Sequence, residues 1–362
     1  MIKILFLALF SLNLASFCQE NYYLLISRDE AFISQISEFS DIVYDSGRTR
    51  AVKLKKPLSD IPSDIKVFLK PVKIGELYNA PADHISKKAF NKEISDLIST
   101  INLSTYKSYV ENITYSGKRN TGGLDLSSDS GNRKTADFIW EKFSSFGYKT
   151  EKHCYKDRKA DKECNIIART KGNFENKRKI VIVGHFDSVG YQDAGADDNA
   201  SGAAGVLELA RVFSQYKTER ELIFAAVNGE ENSIAGTYAL INRFKETGDL
   251  GKIDFAVNMD MIAWNKDGII EIETNKEFKA KAEEVASLAK TYTSLKPYIA
   301  MPAWGSDHVP FLEQGIFSYL SIEHWQDHNP CYHKSCDKID SLNWNYALEI
   351  LKLNAAVIAE NK

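Results

Sequence analysis

The chain lacks an excess of either charge: 46 Lys and Arg stand against 49 Asp and Glu, a net charge of −3. Such a slightly acidic balance gives no reason to expect a nucleic-acid partner. It also lacks an apolar run long enough to cross a bilayer comfortably, which takes about 20 residues. The nearest is the stretch from Ile4 to Phe17 behind Lys3, which reads as the positive and apolar regions of a signal peptide. Residues 1–18 are therefore expected to be removed, leaving a secreted or periplasmic protein with no stable membrane insertion. Cys18 is similar to an acylation site, but Phe17 fills the preceding position where a small residue is required. Internal repeats and low-complexity tracts are missing too.

Cysteine is scarce, with five in 362 residues. None shows the double spacing of a structural zinc site. Once Cys18 leaves with the signal, four remain, an even number suited to an oxidising compartment. Cys154 and Cys164 flank a charged turn that reads as a hairpin, which makes a bridge between them easy. Cys331 and Cys336 bracket His333, and a bridge there would brace that loop. Pairing across the two segments is the alternative.

From Asn21 to Lys70 there is no His, no Cys and no carboxylate cluster, which argues against chemistry in this stretch. Its pattern predicts strands over Tyr22–Ile26, Asp41–Tyr44, Arg50–Leu54 and Lys66–Lys70, with an amphipathic helix over Asp29–Phe39. Residues 19–80 are expected to form a small α+β unit, either a pro-segment or a permanent accessory domain. Pro71 to Lys88 reads as a linker, and residues 81–362 as the catalytic domain. In that domain Phe90–Asn102, Ser104–Asn112, Ser130–Phe146 and Ser201–Tyr216 read as helices, the last with Ser201 as its N-cap.

What is present is a series of apolar, β-branched runs that each end in a metal-binding side chain. Val181–Val183 leads to His185 and Asp187, and a Gly-Ala-Asp-Asp-Asn-Ala-Ser-Gly stretch carrying Asp198 follows. Leu222–Val227 leads to Glu230 and Glu231, Phe255–Met259 to Asp260, and Phe317–Ile322 to a loop with His333. Such runs are how buried parallel strands read, and open α/β sheets place their chemistry at the carboxyl ends of the strands. His nitrogen mixed with carboxylate oxygen suits zinc, so five ligand-type residues at successive strand ends point to a two-metal centre.

At these residues the chain resembles the M28 family of zinc peptidases, in particular secreted bacterial leucyl aminopeptidases. The likeness rests on His-x-Asp-Ser at His185, the stretch around Asp198, Glu230-Glu231, Asp260, Ser306-Asp-His308, and Asn-Pro-x-x-His-x-x-x-Asp at His333, over about residues 90–362. It implies a mixed, mostly parallel central sheet flanked by helices, and two zinc ions. Asp198 would bridge them, with His185 and Asp260 completing one site and Glu231 and His333 the other. Glu230 would be the general base, with Asp187 orienting His185 and Asp337 supporting His333. The peptide bond between Asp198 and Asn199 would be cis. His308, His324 and His328 compete with His333 for the ligand role, and the flanking Asn329-Pro330 and Asp337 favour His333. Met261, Trp304, Leu320, Ile322, Trp325 and Tyr332 fall where such enzymes line the pocket for the first side chain.

The activity implied is removal of apolar N-terminal residues from peptides with a free amino terminus, by a protein expected to be a monomer. No Arg cluster from Met301 to Asp337 offers to hold a substrate carboxylate. The alternatives are a single-zinc acyltransferase like the glutaminyl cyclases, against which Tyr332 stands where those enzymes place Trp, and a catalytically silent receptor-like binding protein, against which the full ligand set stands.

Overall fold

The computed structural model describes residues 22–25, 34, 36–45, 50–62, 65, 69–72, 77–120, 130–156, 163–172, 174 and 177–361. The expected signal peptide, Cys18 and most of the Asp29–Phe39 helix lie outside them. The chain divides into two compact units at Ile74 and Gly75. In the first, strands β1 (Tyr22–Leu25), β2 (Ser40–Asp45), β3 (Arg50–Leu54) and β4 (Leu69–Pro71) form an antiparallel sheet in the order β2-β3-β1-β4. One face carries a small core of Tyr23, Leu25, Ile36, Val52, Leu54, Ile61, Ile65 and Leu69.

The second unit is built on nine strands: β5 (Tyr78–Pro81), β6 (Lys149–Tyr155), β7 (Glu163–Arg169), β8 (Lys179–His185), β9 (Glu221–Val227), β10 (Ile253–Met259), β11 (Ile269–Glu273), β12 (Lys296–Met301) and β13 (Phe317–Glu323). Their order is β5-β12-β11-β13-β10-β8-β9-β7-β6. The central four, β13, β10, β8 and β9, run parallel. The flanks bring in antiparallel pairs, so the sheet is mixed. β5 comes from the stretch expected to be a linker and pairs instead with β12, so that stretch adds an edge to the large sheet.

β8 and β9 are buried along their whole length because both faces of the sheet are covered. Alternation along β8 sends Ile180 and Ile182 into one core and Val181 and Val183 into the other. The first core holds apolar faces of α1 (Lys92–Ile98), α2 (Leu103–Thr114), α3 (Gly131–Ser145), α4 (Gly202–Phe213), and, later in the chain, α6 (Lys279–Tyr292) and α7 (Trp344–Glu360). The second holds Leu240, Ile241 and Phe244 of α5 (Ala235–Glu246).

Local chemistry sets how α4 begins. Gly202 must be glycine, because a Cβ there would lie 2.1 Å from the carbonyl oxygen of Met259. Its backbone N–H donates to Asn199 Oδ1 at 2.8 Å. Asn199 thus caps this helix in place of Ser201, whose hydroxyl donates to the Asp197 carbonyl at 2.7 Å and accepts from the Ile262 N–H. Two disulfides join the expected partners, Cys154 with Cys164 and Cys331 with Cys336. The first links residues directly opposite each other on β6 and β7.

Candidate metal centre

The parallel arrangement brings the ends of β8, β9, β10 and β13 to one edge of the sheet, and the ligand-type residues follow those ends. His185 closes β8, Asp260 follows β10, Glu230 and Glu231 lie just past β9, and the loop after β13 carries His333. Donor atoms of His185, Asp198 and Asp260 lie within 4.8 Å of one another, and so do those of Asp198, Glu231 and His333. Asp198 belongs to both groups. Its Oδ1 is 3.4 Å from His185 Nε2 and its Oδ2 is 3.1 Å from His333 Nε2. Asp260 Oδ1 lies 3.4 Å from His185 Nε2, and Glu231 Oε2 lies 3.0 Å from His333 Nε2. The Asp198-Asn199 peptide bond is cis.

The donor set fits a divalent cation. His185 Nε2, Asp198 Oδ2, Glu231 Oε1 and Asp260 Oδ1 are buried with no hydrogen-bond partner among the described residues. Buried polar atoms are satisfied in the great majority of cases. Four orphans pointing into one space are best satisfied by ions held there, and the mix of imidazole and carboxylate matches zinc.

A second layer of contacts aims these donors. Asp187, fully buried, has Oδ1 3.4 Å from His185 Nδ1. Its two carboxylate oxygens also accept the backbone N–H groups of Glu230 and Glu231, each at 3.2 Å. The hydrogen bond at His185 Nδ1 is to the Asp187 backbone carbonyl, at 3.2 Å, so the residue meets the imidazole through its main chain while its side chain ties down the loop bearing the candidate base. Asp337 acts differently from expectation. Its carboxylate accepts the backbone N–H groups of Asp197 and Asp198 at 3.0 Å each, so it braces the residue common to both donor groups. Ser306 Oγ donates to Asp260 Oδ2 at 2.7 Å and accepts from Asn258 Nδ2 at 2.8 Å. No role was expected of Ser306 from the sequence, although the Ser-Asp-His motif marked the place.

The competing imidazoles are engaged elsewhere. His308 Nε2 faces Glu273 Oε1 at 3.1 Å, and His328 stacks on Trp325 with ring centroids 4.3 Å apart. His324 Nδ1 meets Asp267 Oδ2 at 2.7 Å; with Asp327 they form a third group of ligand-type atoms. There, Asp267 also accepts from the Ile269 N–H and Lys266 faces Asp327. Met261, Leu320, Ile322 and Trp325 form one apolar cluster with Tyr332 packed against it. Trp304 is not part of that cluster. Tyr332 also stacks on His333, centroids 3.8 Å apart, which joins the apolar cluster to the second donor group.

Without a cation the site holds protons in its place. Burial would lower the His333 imidazole, but Asp198 and Glu231 push it up to about 10. Burial is likewise outweighed at His185, where Asp260, Asp187 and Asp198 raise it well above its usual value. Burial raises Glu231 to about 7, Asp307 to about 7 and Asp337 to about 8, and lifts Glu230 well above the carboxylate range. Asp198 is the exception, held far below its usual value against burial by the two imidazoles.

A group whose pKa is raised by folding stabilises the fold below its unfolded pKa and loses that contribution as pH rises through the folded one. The metal-free protein should therefore lose thermal stability steadily from about pH 5 to about pH 10, the range spanned by these groups. His153, lowered by burial, opposes the trend with a single charge. Zinc should flatten the slope, because it replaces the protons on the imidazoles. Calorimetry of chelated and zinc-loaded protein across this range checks both signs, and a metal-free Tm rising from pH 5 to 9 would contradict them.

The Peptidase family M28 profile matches residues 165–358. Aminopeptidase YwaD of Bacillus subtilis is 29 % identical over 187 residues, covering 49 % of this chain and 40 % of that protein. The chain spans about half the length of the curated relatives it matches. Among solved structures, that of BSAP, a zinc aminopeptidase from Bacillus subtilis, is 26 % identical with a TM-score of 0.51, covering 56 % of this chain and 50 % of that one. The Legionella pneumophila LapA aminopeptidase has the same fold, with a TM-score of 0.67 over 94 % of this chain and 97 % of that one at 18 % identity. With more than half of its length inside the family profile, and with His185, Asp198, Glu231, Asp260 and His333 all inside the matched span, the chain belongs to peptidase family M28.

Proposed function

We propose that the protein is an exported, two-zinc aminopeptidase that removes apolar residues from the amino terminus of peptides. The observation that carries this reading is the sharing of Asp198 between two donor groups, beside a carboxylate, Glu230, that belongs to neither. When bound, zinc supplies Lewis acidity toward the scissile carbonyl and makes water a better nucleophile near neutral pH.

The chain's own residues supply the rest. Glu230 takes the proton from the attacking water and returns it to the leaving amine. Burial raises this carboxyl above its usual value, which makes it a stronger proton acceptor than an ordinary glutamate. The carboxylates of Asp260 and Glu230 receive the free α-amine. The cluster of Met261, Leu320, Ile322, Trp325 and Tyr332 takes the first side chain, where burying a Leu or Phe is worth about 1.5–3 kcal/mol. The two disulfides agree with export to an oxidising compartment.

Release of free Leu from an unblocked Leu peptide, its loss with a chelator and its recovery with zinc are the expected results. An N-acetylated peptide should not be cleaved. Trimming of the acetylated peptide from its carboxyl end at a comparable rate would sink the aminopeptidase reading while leaving the metal site standing. Cyclisation of an N-terminal Gln with no release of Leu would favour the acyltransferase alternative.

A further inference from the structure

Arg119 is fully buried, yet among the described residues no carboxylate lies within ion-pair distance of it. Among the described residues, every hydrogen bond of its guanidinium goes to a backbone carbonyl. Nε donates to Phe186 O at 2.8 Å, Nη1 to Ala194 O at 3.0 Å and Ile113 O at 3.3 Å, and Nη2 to Gly195 O at 2.6 Å. Phe186 lies between His185 and Asp187, and Gly195 is three residues ahead of Asp198. The planar fork therefore spans the two loops that carry His185 and Asp198.

The backbone of the same residue reaches further. Its carbonyl accepts the Ser188 N–H at 3.1 Å and Asn132 Nδ2 at 3.1 Å. Asn132 and Asn228 exchange hydrogen bonds of 2.8 and 3.0 Å, and Asn228 directly precedes Gly229, Glu230 and Glu231. Three loops bearing site residues thus meet around one residue. The close approach at Gly195 is specific as well: its φ is +74°, and a Cβ there would lie 2.7 Å from Arg119 Nη2.

Burying a charge without an ion pair is costly unless something offsets it. Here the offset is the four carbonyls together with the field of Asp337, Asp187, Asp198 and Glu231. Burial lowers the guanidinium only to about 10, so it stays charged at neutral pH. A Lys would keep that charge but could not hold carbonyls from both loops in a rigid plane.

We propose that Arg119 is a positioning residue whose guanidinium sets the separation of His185 and Asp198, and thereby the metal affinity of the group they form with Asp260. This rests on the metallopeptidase reading above. The duller role is that of a buried plug which stabilises the fold and leaves metal affinity alone.

Zinc titration calorimetry on the full chain separates the two. His333→Ala removes a donor of the other group, so the ion gripped by His185, Asp198 and Asp260 can be followed in that background with and without Arg119→Lys. Arg119→Lys should weaken this ion by about 10–100-fold, the range for residues that orient metal ligands. Arg119→Met should weaken it at least as much. If Arg119→Met does not fold, Arg119→Lys still decides, because it keeps the charge and removes only the fork. Zinc affinity within threefold of the parent in Arg119→Lys, even with a lower Tm, would overturn the proposal and leave the plug. Should the unsubstituted protein take up no zinc at all, the metallopeptidase reading falls first and the proposal with it.

Discussion

Replacing Glu230 by Gln should lower kcat by roughly two to four orders of magnitude, the usual contribution of a positioned general base, while bound zinc stays unchanged. Gln keeps the size of the side chain and removes only its capacity to accept a proton. The backbone position of residue 230 is held from outside by Asp187, so the loop should not shift. Because Glu230 belongs to neither donor group, metal analysis of the variant should match the parent. Near-normal turnover with full metal would assign the base elsewhere. Asp187 is a poor replacement, since its carboxylate oxygens already accept from the backbone of Glu230 and Glu231. Asp187→Asn should therefore act by loosening that loop, with loss of metal affinity as well as turnover. The two substitutions are distinguishable on that ground: Glu230→Gln separates turnover from metal, and Asp187→Asn couples them.

The core of the sheet was legible in the sequence for a physical reason. β8, β9, β10 and β13 are covered on both faces, so they read as near-continuous apolar runs, and the segments that follow them carry the ligand-type residues that the parallel sheet gathers at one edge. The flanks were not legible. β5 pairs with β12, more than two hundred residues away, and nothing local distinguishes an edge strand of four residues with two prolines nearby from a linker.

The supporting hydrogen bonds were legible only in part. That His185 and Asp187 lie together could be read from their separation of two residues, but that His185 Nδ1 meets the backbone carbonyl of Asp187 at 3.2 Å could not. Which N–H groups Asp337 serves depends on a loop 139 residues earlier in the chain, and spacing carries no such information. The N-cap of α4 shows the same limit at short range: Ser201 has the right composition, but Asn199 is the acceptor and the Ser201 hydroxyl donates to Asp197 instead. Lys118-Arg119 gives no local sign that Arg119 is buried, because adjacent basic residues are usually solvated and only the packed structure shows four carbonyls around this one.

Asp198→Asn should weaken both zinc ions together, by about 100-fold or more, whereas His333→Ala should weaken only one. The magnitude sits at or beyond the upper end for residues that merely orient ligands, because Asp198 is itself a donor in both groups. A neutral amide can still offer one oxygen, but it cannot neutralise two cations. The metal-free protein gives an independent check. Among the groups that raise His333 to about 10, Asp198 comes first, ahead of Glu231. Removing its charge should bring the imidazole back toward its usual value near 6.5, and so shrink the stability that the metal-free fold loses between about pH 6.5 and 10. The proton of His333, followed by NMR in the chelated variant, should titrate at lower pH than in the parent. A variant that binds two zinc ions with parental affinity, or in which His333 titrates unchanged, would mean that Asp198 is not the shared carboxylate and that the two donor groups act separately.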